Sequence, residues 1–553
     1  MPTCRLQGKT SVKGLKREMG GAQLTSPPHL REDAYQSVRY RLLHWPVAMA
    51  FEQVCSNVNV VDVRETTLFY DMDSKSPHNS SSLFGTIFLI VLWTSFVLYA
   101  TLFKSFARIL SLKHSWQGLT TPHRSKLNCI NYFRVTAILW VMVNHLGSEG
   151  RVDVLERLPS AKAFKDAVHS HPLFGPLFGN SSLGVEIFLV LSGLLAARSW
   201  VRAETERQGK SFPRQLISFL VKRVLRLFPS VAVFIWLAQG PLTKSYLPRF
   251  RDTMISTCGW RGLASHLTFT NNWQSAPTCL GYLWYLGLDM QMYAVAPILL
   301  YVLTAKPKVG SQVLLALVVI SSGLRAIWCR RYNICNQSDV DIPFISYPNQ
   351  TEADLTAIYE GLWDIYSRPC TKSGPFFIGL LTGFVSISVE LKLSAPLKRS
   401  LTVMSIFGCL FCIFGILPEY WYPDAGSTIY NTTYTAIFRS LFAVCISWQI
   451  LYFVNWKSLP TSNFVSILAK LTFQAYLLHM PMVYTFNHSA FLQDAEGPWP
   501  VLFLLPVLAT LSYLVAALFY VFVEAPITRI TSRFHKWLVN RIDAVTLKNM
   551  KCD

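Results

Sequence analysis

Long apolar runs, each about the length needed to cross a bilayer, alternate with polar segments along most of this chain. A membrane-spanning helix needs about 20 predominantly apolar residues. The pattern predicts an all-α polytopic membrane protein with about eleven transmembrane helices. The predicted spans are Leu83–Phe103, Ile130–Gly147, Leu183–Trp200, Leu227–Gln239 (beginning near Leu216), Tyr282–Leu303, Ser311–Trp328, Pro375–Val389, Leu401–Leu417, Tyr434–Val454, Phe464–Phe486 and Val501–Val523.

The composition agrees with a membrane protein and changes how the net charge is interpreted. Hydrophobic residues make up 51% of the 553 residues and charged residues 15%, whereas soluble domains carry about 25% charged residues. In a soluble protein, the net charge of +20 would suggest a nucleic-acid partner. Here the basic residues cluster between apolar runs, where they fix the orientation of the spans. We therefore expect membrane lipids, and no nucleic acid, as partners.

Basic linkers and glycosylation sequons predict the same orientation in the membrane. The linkers after the first and third spans and the C-terminal tail are rich in Lys and Arg, which places them in the cytosol. If all eleven spans cross, all six Asn-x-Ser/Thr sequons fall on the opposite side. The sequence thus predicts a lumenal or external N-terminus and a cytosolic C-terminus, in the plasma membrane or an endomembrane. The candidate glycosylation sites are Asn79, Asn180, Asn336, Asn349, Asn431 and Asn487.

Several of the 12 cysteines lie in predicted lumenal segments, where disulfides form readily. These cysteines are Cys55, Cys258, Cys279, Cys335 and Cys370, with Cys329 beside them at a span end. Spacing does not determine the pairing, but Cys258 with Cys279, and Cys335 with Cys370, share loops and are the natural pairs. Cysteines scattered in oxidising loops are a poor zinc signature, so we expect no metal site.

Ionisable residues inside the predicted spans are candidate functional residues, because each one is costly in a bilayer unless it is paired or wetted. Arg134 and His145 lie about 16 Å apart along the second span, at ~1.5 Å per residue. Eleven residues are close to three helical turns, so both side chains can face the same side. Glu186 opens the third, oppositely directed span at about the depth of His145. A carboxylate there can fix the tautomer of the imidazole.

A second group of polar residues lies on later spans. Arg223 and Arg226 share one helical face at the predicted cytosolic edge of the fourth span, a suitable place for phosphate groups. Residues that can line a substrate path are Trp284, Asp289, Gln291, Tyr476 and His479. Each residue also has a structural interpretation: an intramembrane His often bonds neighbouring helices, Glu186 can pair with a basic neighbour, and the arginines can be positive-inside anchors.

Taken in order, these stretches resemble the membrane-bound acyltransferase-3 family, and within it the animal branch named for nose resistance to fluoxetine. The resemblance covers about Cys55 to Pro526. It departs from the family pattern at Phe133, where a glycine is frequent, and at Glu186, where aspartate is frequent. The stretches that carry it are Arg134 to His145 with ten residues between, Gly184–Gly193, Arg223–Pro229, Trp284–Gln291, Pro375–Gly379 with Gly383, Ala475–His479 and Glu524–Pro526.

The resemblance implies an acyltransferase that moves an acyl group from acyl-coenzyme A to an acceptor at the membrane. It implies that Arg134 and His145 are tied to activity. We therefore expect His145 to act as general base on a hydroxyl of a lipid, sterol, sugar or lumenal acceptor, and Glu186 to orient it. We expect Arg223 and Arg226, with Arg134 as a further candidate, to hold coenzyme A. Acyl-coenzyme A is then a donor substrate, and no tightly bound cofactor is expected.

The resemblance also divides the chain into segments. Two other functions stay open: a transporter of lipids or small molecules, which also carries intramembrane charges, and a non-catalytic membrane binding protein. The predicted segments are an atypical polar N-terminus (1–54), the remnant of a lumenal N-terminal domain (55–82), the first transmembrane helix (83–103), the acyltransferase-3-like membrane domain (125–526) and a basic cytosolic tail (527–553).

Overall fold

The described part of the chain is helical throughout, with turns and short loops but no strand. All of these residues belong to one compact unit formed by residues 80–344 and 358–553. The N-terminal segments predicted for residues 1–79 lie outside the described residues. The computed structural model describes residues 80–102, 110–122, 127–147, 171, 173–180, 182–206, 212–256, 258–274, 279–335, 361, 363–415, 427–460, 462–487 and 499–549.

The described helices are labelled α1 to α18 in chain order. A single π-helical segment, Tyr520–Glu524, joins α17 to α18, and two short 3₁₀ turns, Asn271–Trp273 and Gly281–Leu283, precede α10. The helices are α1 Ser80–Leu102, α2 Leu112–Thr120, α3 Asn128–Gly147, α4 Phe174–Gly179, α5 Leu183–Glu206, α6 Phe212–Gln239, α7 Pro241–Tyr246, α8 Pro248–Met254, α9 Trp260–Leu267, α10 Trp284–Ala305, α11 Pro307–Arg331, α12 Pro369–Lys372, α13 Gly374–Ser388, α14 Ala395–Phe414, α15 Thr428–Asn455, α16 Asn463–Asn487, α17 Trp499–Phe519 and α18 Ala525–Asn549.

Each predicted apolar run overlaps described helical residues, which confirms the all-α polytopic membrane architecture. Seven helices in the described ranges are long and apolar enough to cross a membrane: α1, α5, α10, α11, α14, α15 and the continuous helix from α17 into α18. Shorter apolar helices occur at Asn128–Val143, within α3, and in α13. The count of eleven spans stays a prediction.

The centre of the bundle is the close pair α5 and α13, which contact each other more extensively than any other pair of described helices. Glycines allow this approach. A Cβ atom added to Gly193 would lie 2.2 Å from the carbonyl oxygen of Phe376, and one on Gly379 would lie 2.3 Å from that of Val190. Small residues at such contacts let membrane helices pack through their backbones. By contrast, α1 and α14 lie at the periphery, because only 11% of the residues in the apolar stretch of each helix are buried.

Two disulfides between described cysteines stabilise segments on the predicted lumenal side. Cys258–Cys279 closes the loop around α9, as the sequence predicted. The predicted pair of Cys335 with Cys370 is wrong, because Cys335 bonds to Cys329 at the end of α11 and Cys370 is a free thiol. The turn after α11, where Asn333 has a positive φ of 53°, brings the two cysteines within reach after only six residues.

Candidate functional site

A cavity of about 900 Å³ opens between α2, α3, α5, α6, α10, α16 and the α17–α18 junction. Its volume lies within the range typical of small-molecule sites. The lining is strongly basic, with six Lys or Arg residues and one carboxylate, Glu524. The lining cations are Arg134, Lys222, Arg223, Arg226, Lys470 and Arg529. An excess of cations around a cavity of this size is suited to an anionic ligand.

The cavity cations differ in how far neighbouring groups already engage them. Arg223 is ion-paired with Asp289, which also accepts a hydrogen bond of 2.5 Å from Ser192. Arg134 and Arg226, in contrast, have no hydrogen-bond acceptor or ion-pair partner among the described residues. The structure therefore brings the predicted residues Arg134, Arg223 and Arg226 together, and leaves two of the three guanidinium groups open to a ligand.

Two of the remaining cations hold the short helix α2 against the cavity. The Lys470 ammonium donates hydrogen bonds of 2.8, 3.0 and 2.7 Å to the carbonyl oxygens of Gly118, Leu119 and Thr121. These carbonyls lie at the C-terminus of α2, where a cation is favoured. Arg529 donates to the hydroxyl of Ser115 in the same helix. These two cations therefore have a structural role, and sequence analysis did not single out either residue.

Aromatic side chains connect the inner end of the cavity to His145. Tyr285 and Tyr476 line the cavity with their ring centroids 6.1 Å apart. The Tyr476 hydroxyl donates a 2.5 Å hydrogen bond to the carbonyl of Tyr282, and the Tyr282 ring centroid lies 6.3 Å from that of His145. Val141, one turn before His145 on α3, also lines the cavity. His145 is thus separated from the cavity by a single layer of side chains.

His145 is paired with a second histidine at this layer. The ring centroids of His145, on α3, and His479, on α16, lie 4.9 Å apart. His145 is 7% exposed and His479 is fully buried. The sequence predicted both residues for the site but gave no reason to place them together. Their contact depends on the packing of α3 against α16, helices more than 300 residues apart in the chain.

The structure gives Glu186 different partners from those predicted. Its fully buried carboxylate is ion-paired with Lys372 at 2.7 Å and with Arg439. Those two cations, and not His145, are its ion-pair partners in the described ranges. Glu186 meets these cations because the start of α5 packs against α13 and α15. Lys372 lies just before α13, and Arg439 lies on α15.

Four of the predicted path residues lie outside the cavity lining, and one of them is His479, which packs against His145. Trp284 packs with its ring centroid 5.4 Å from the Lys372 ammonium, so it belongs to the Glu186 cluster. Asp289 is buried behind Arg223. Gln291 donates hydrogen bonds of 2.8 Å to the carbonyl of Phe269 and to Asn272, and so ties a loop to α10. Of the predicted path, only Tyr476 lines the cavity.

Two candidate glycosylation sites are inaccessible in this structure. Asn180 is 3% exposed, and its amide nitrogen, the atom that would carry a glycan, donates a 2.7 Å hydrogen bond to the carbonyl of Ile413. Asn431 is 8% exposed within α15. These two predictions are therefore corrected. Asn79, Asn336 and Asn349 lie outside the described residues, and nothing is described of the Asn487 side chain.

Two buried arginines were not among the predicted site residues, although their positions in the sequence could have revealed them. Arg325 and Arg439 lie inside predicted spans and are 2% and 1% exposed, so each is as costly in a bilayer as Arg134. Lys372, in contrast, lies just before a span and looks like an ordinary flanking cation in the sequence. Tyr282 and Tyr285 carry no signal beyond the aromatic residues common at membrane interfaces.

Together, the helical bundle, the basic cavity and the histidine pair define a multi-pass membrane protein with a cation-lined cavity among its helices. The acyltransferase domain family (Acyl_transf_3) matches residues 127–521. The chain belongs to this family, as the resemblance indicated. The match covers most of the chain, including the whole of five of the six helices that line the cavity, α3, α5, α6, α10 and α16.

Two curated relatives, both from Caenorhabditis elegans, support the same family. A protein named "Regulator of hypoxia-inducible factor 1" is 52% identical over 448 residues, which cover 80% of this chain and 88% of the relative. "Nose resistant to fluoxetine protein 6" is 25% identical over 460 residues, which cover 75% of this chain and 51% of that relative. The chain therefore spans about half the length of the second relative. No solved structure matches the chain.

Proposed function

We propose that this membrane protein transfers an acyl group from acyl-coenzyme A to a hydroxyl group of an acceptor in or at the membrane. The observation that carries the proposal is the basic cavity. Two of its guanidinium groups are open to a ligand, and one layer of side chains separates it from a buried histidine pair. Membership of the acyltransferase family supports the reaction class, and the cavity suggests how the donor is held.

The phosphate groups of coenzyme A would bind among the open cations of the cavity. Arg134 and Arg226 each present a planar guanidinium group, which suits two-point hydrogen bonding to phosphate. Arg223 lies beside them but is held by Asp289, so it adds charge rather than a free hydrogen-bonding face. Since arginine is effectively always protonated, donor binding by these groups would persist over the physiological pH range.

The pantetheine arm would extend past Tyr285 and Tyr476 and bring the thioester to His145. There the hydroxyl oxygen of the acceptor attacks the thioester carbonyl, a carbon–oxygen bond forms and the carbon–sulfur bond breaks. The hydroxyl proton passes to His145 and then to the departing thiolate. General base catalysis of this kind contributes about 10²–10⁴-fold to the rate. This route needs a small displacement of the tyrosine layer that separates the cavity from His145.

The proposal is tested with the purified full-length chain in detergent or nanodiscs, supplied with acetyl- or palmitoyl-coenzyme A. Release of free coenzyme A is measured by mass spectrometry, with water or membrane lipid as acceptor. His145→Ala should lower turnover by about 10²-fold or more. Arg226→Ala should raise the KM for the donor by roughly 10–100-fold, since hydrogen bonds to charged groups are worth about 1.5–3 kcal/mol.

Arg399→Ala is the matched control, because Arg399 is an exposed arginine that does not line the cavity. It should leave both turnover and KM unchanged. Turnover in His145→Ala equal to that of the unmodified protein would end the proposal. So would the absence of acyl-coenzyme A turnover with every acceptor.

A second candidate function comes from the 52% identical relative, whose name describes a regulator. In that case the chain would act as a non-catalytic membrane protein, and the cavity would bind an anionic ligand without turning it over. The assay separates the two functions, because a non-catalytic protein binds acyl-coenzyme A but produces no free coenzyme A.

A further inference from the structure

The second histidine of the pair, His479, has a fixed arrangement of its two ring nitrogens. Its Nδ1 atom lies 2.7 Å from the carbonyl oxygen of Tyr476, one turn earlier on α16. A carbonyl oxygen only accepts hydrogen bonds, so Nδ1 must carry the hydrogen. In the neutral imidazole the other nitrogen, Nε2, then presents a lone pair. The backbone of α16 thus selects one tautomer of His479.

The Nε2 lone pair of His479 is buried and unused. His479 is 0% exposed, and its Nε2 atom has no hydrogen-bond partner among the residues that the structure describes. Buried polar atoms are normally paired, and an exception requires a functional or structural explanation. The titratable side chains that pack against this ring are His145, with ring centroids 4.9 Å away, Tyr282 at 5.7 Å and Tyr476 at 6.0 Å.

We propose that His479 is the positioning residue for His145, in the role that sequence analysis gave to Glu186. This inference rests on the proposed acyl transfer. The Nε2 lone pair of His479 accepts the N–H of His145, so that the other nitrogen of His145 keeps its lone pair toward the acceptor hydroxyl. A modest rotation of either ring closes the remaining gap when donor and acceptor are bound.

The pair would work as an oriented base during the reaction. When His145 takes the proton from the acceptor hydroxyl, it becomes an imidazolium whose N–H already points at the lone pair of His479. His479 keeps its own hydrogen on Nδ1, held by Tyr476, and no net proton is gained or lost by it. The proton taken up by His145 then passes to the coenzyme A thiolate, which leaves both histidines as they began.

Two substitutions separate this positioning role from a packing role. His479→Asn places an amide N–H near the position of Nδ1, so it can keep the bond to Tyr476 but loses the acceptor toward His145. His479→Gln places an amide oxygen near the position of Nε2, so it can restore that acceptor but loses the bond to Tyr476. Thr485→Val, at an exposed position on α16, is the control for substitution on this helix.

The variants are compared in the coenzyme A release assay with acetyl-coenzyme A. We expect kcat of His479→Asn to fall about 10–100-fold with the donor KM unchanged, and His479→Gln to retain at least about fivefold more activity than His479→Asn. If His479 only packs the helices, the order is reversed, because His479→Asn keeps the anchor to Tyr476. That reversed order, or wild-type kcat in His479→Asn, overturns the inference.

Chemical modification of His145 tests the positioning role of His479 without measuring acyl transfer. Diethyl pyrocarbonate modifies unprotonated imidazole nitrogen, and the rate of modification of His145 can be followed by mass spectrometry of the folded, monodisperse protein. We expect His145 to react several-fold more slowly in His479→Asn than in the unmodified protein or in Thr485→Val. An equal rate in all three contradicts the inference even if acyl transfer is observed. Absence of acyl transfer in the unmodified protein overturns the proposed function and this inference together.

Discussion

Glu186 is a carboxylate at the centre of the bundle with 0% exposure and two cationic partners, Lys372 and Arg439. The Lys372 ammonium also lies 4.4 Å from the ring centroid of Tyr366, which adds a cation–π contact. The three charged groups come from α5, from the end of α12 and from α15. Removing the carboxylate therefore leaves two buried cations without their shared counter-charge.

Replacement of Glu186 by Gln should destabilise the protein by about 3–5 kcal/mol, since a broken buried ion pair leaves uncompensated charge behind. Thermal unfolding of the detergent-solubilised protein measures the effect. Glu390→Gln is the control, because Glu390 pairs with Lys392 where both side chains are 80% exposed, and exposed pairs contribute little. Equal unfolding temperatures for Glu186→Gln and Glu390→Gln would show that the cluster is not needed for stability.

The sequence could predict that Glu186 was important but not what it contacts. A charged side chain inside the membrane is energetically costly, and that cost alone marks Glu186 as a candidate functional residue. The identity of its partners depends on which face of α5 meets α13 and α15, and hydrophobic periodicity does not specify which helices become neighbours. The same limit applied to His145, whose neighbour His479 was predicted for the site without being predicted as its partner.

His266, on α9 in the predicted lumenal region, should make stability depend on pH. Its Nε2 lies 2.8 Å from the carbonyl of Cys279, and burial lowers the pKa of the imidazole to about 4, from an ordinary value of 6.5. The unfolded chain therefore binds more protons between these two values. Stability is fully present above about pH 6.5 and is lost as pH falls toward 4.

Thermal unfolding at pH 7 and pH 5 tests this dependence. The unmodified protein should lose more stability between the two pH values than His266→Gln, in which an amide N–H can replace the donor without titrating. A pH effect of the same size in both proteins would show that other groups cause the loss.

At the scale of elements, the α5–α13 contact depends on glycine. A Cβ atom on Gly379 would lie 2.3 Å from the carbonyl oxygen of Val190, so the two helix backbones would have to separate. Gly379→Ala should therefore destabilise the protein by about 1–3 kcal/mol, the usual cost of overpacking. Gly323→Ala, on α11, has nothing within 4 Å of the added Cβ atom and should be neutral or slightly stabilising.

The unfolding temperatures of the two glycine variants test whether α5 and α13 are in backbone contact. If Gly379→Ala unfolds at the temperature of Gly323→Ala, the helices are not in backbone contact as described. Loss of coenzyme A binding in Gly379→Ala is also expected, because Ser192, beside Gly193 at this contact, lines the cavity.

Hydrophobic patterning predicted the long helices well and the short ones poorly. Runs such as Leu183–Trp200 are long and apolar, so their helices follow from length and composition alone. The helix α2 and the helices α7, α8 and α9, which lie between α6 and α10, were not predicted. They have six to nine residues each, too few for a periodic pattern to be distinguished from a loop. Among these, α2 contributes directly to the cavity wall.

At the scale of the whole molecule, six helices and the α17–α18 junction converge on one basic cavity. The six lining cations come from four helices, α3, α6, α16 and α18. Sequence analysis assigned Arg223 and Arg226 to the ligand, with Arg134 as a further candidate. The open guanidinium groups of Arg134 and Arg226 come from different helices, α3 and α6. A ligand that bridges them would therefore link elements that otherwise pack separately, and its binding should stabilise the folded bundle.

Coenzyme A without an acyl group should consequently raise the unfolding temperature of the full-length protein. At a concentration 100 times its Kd, the expected stabilisation is about 2.7 kcal/mol. Pantetheine, which lacks the phosphate groups, should give little or no shift, and the double variant Arg134→Ala/Arg226→Ala should lose the response to coenzyme A. Arg399→Ala should keep the response to coenzyme A, since this exposed arginine lies outside the cavity.

Because salt screens charge interactions, the stabilisation by coenzyme A should also weaken as ionic strength rises from about 0.1 to 1 M. Equal shifts with pantetheine and coenzyme A would mean that the cations do not hold the phosphates, and the cavity would then need a different ligand.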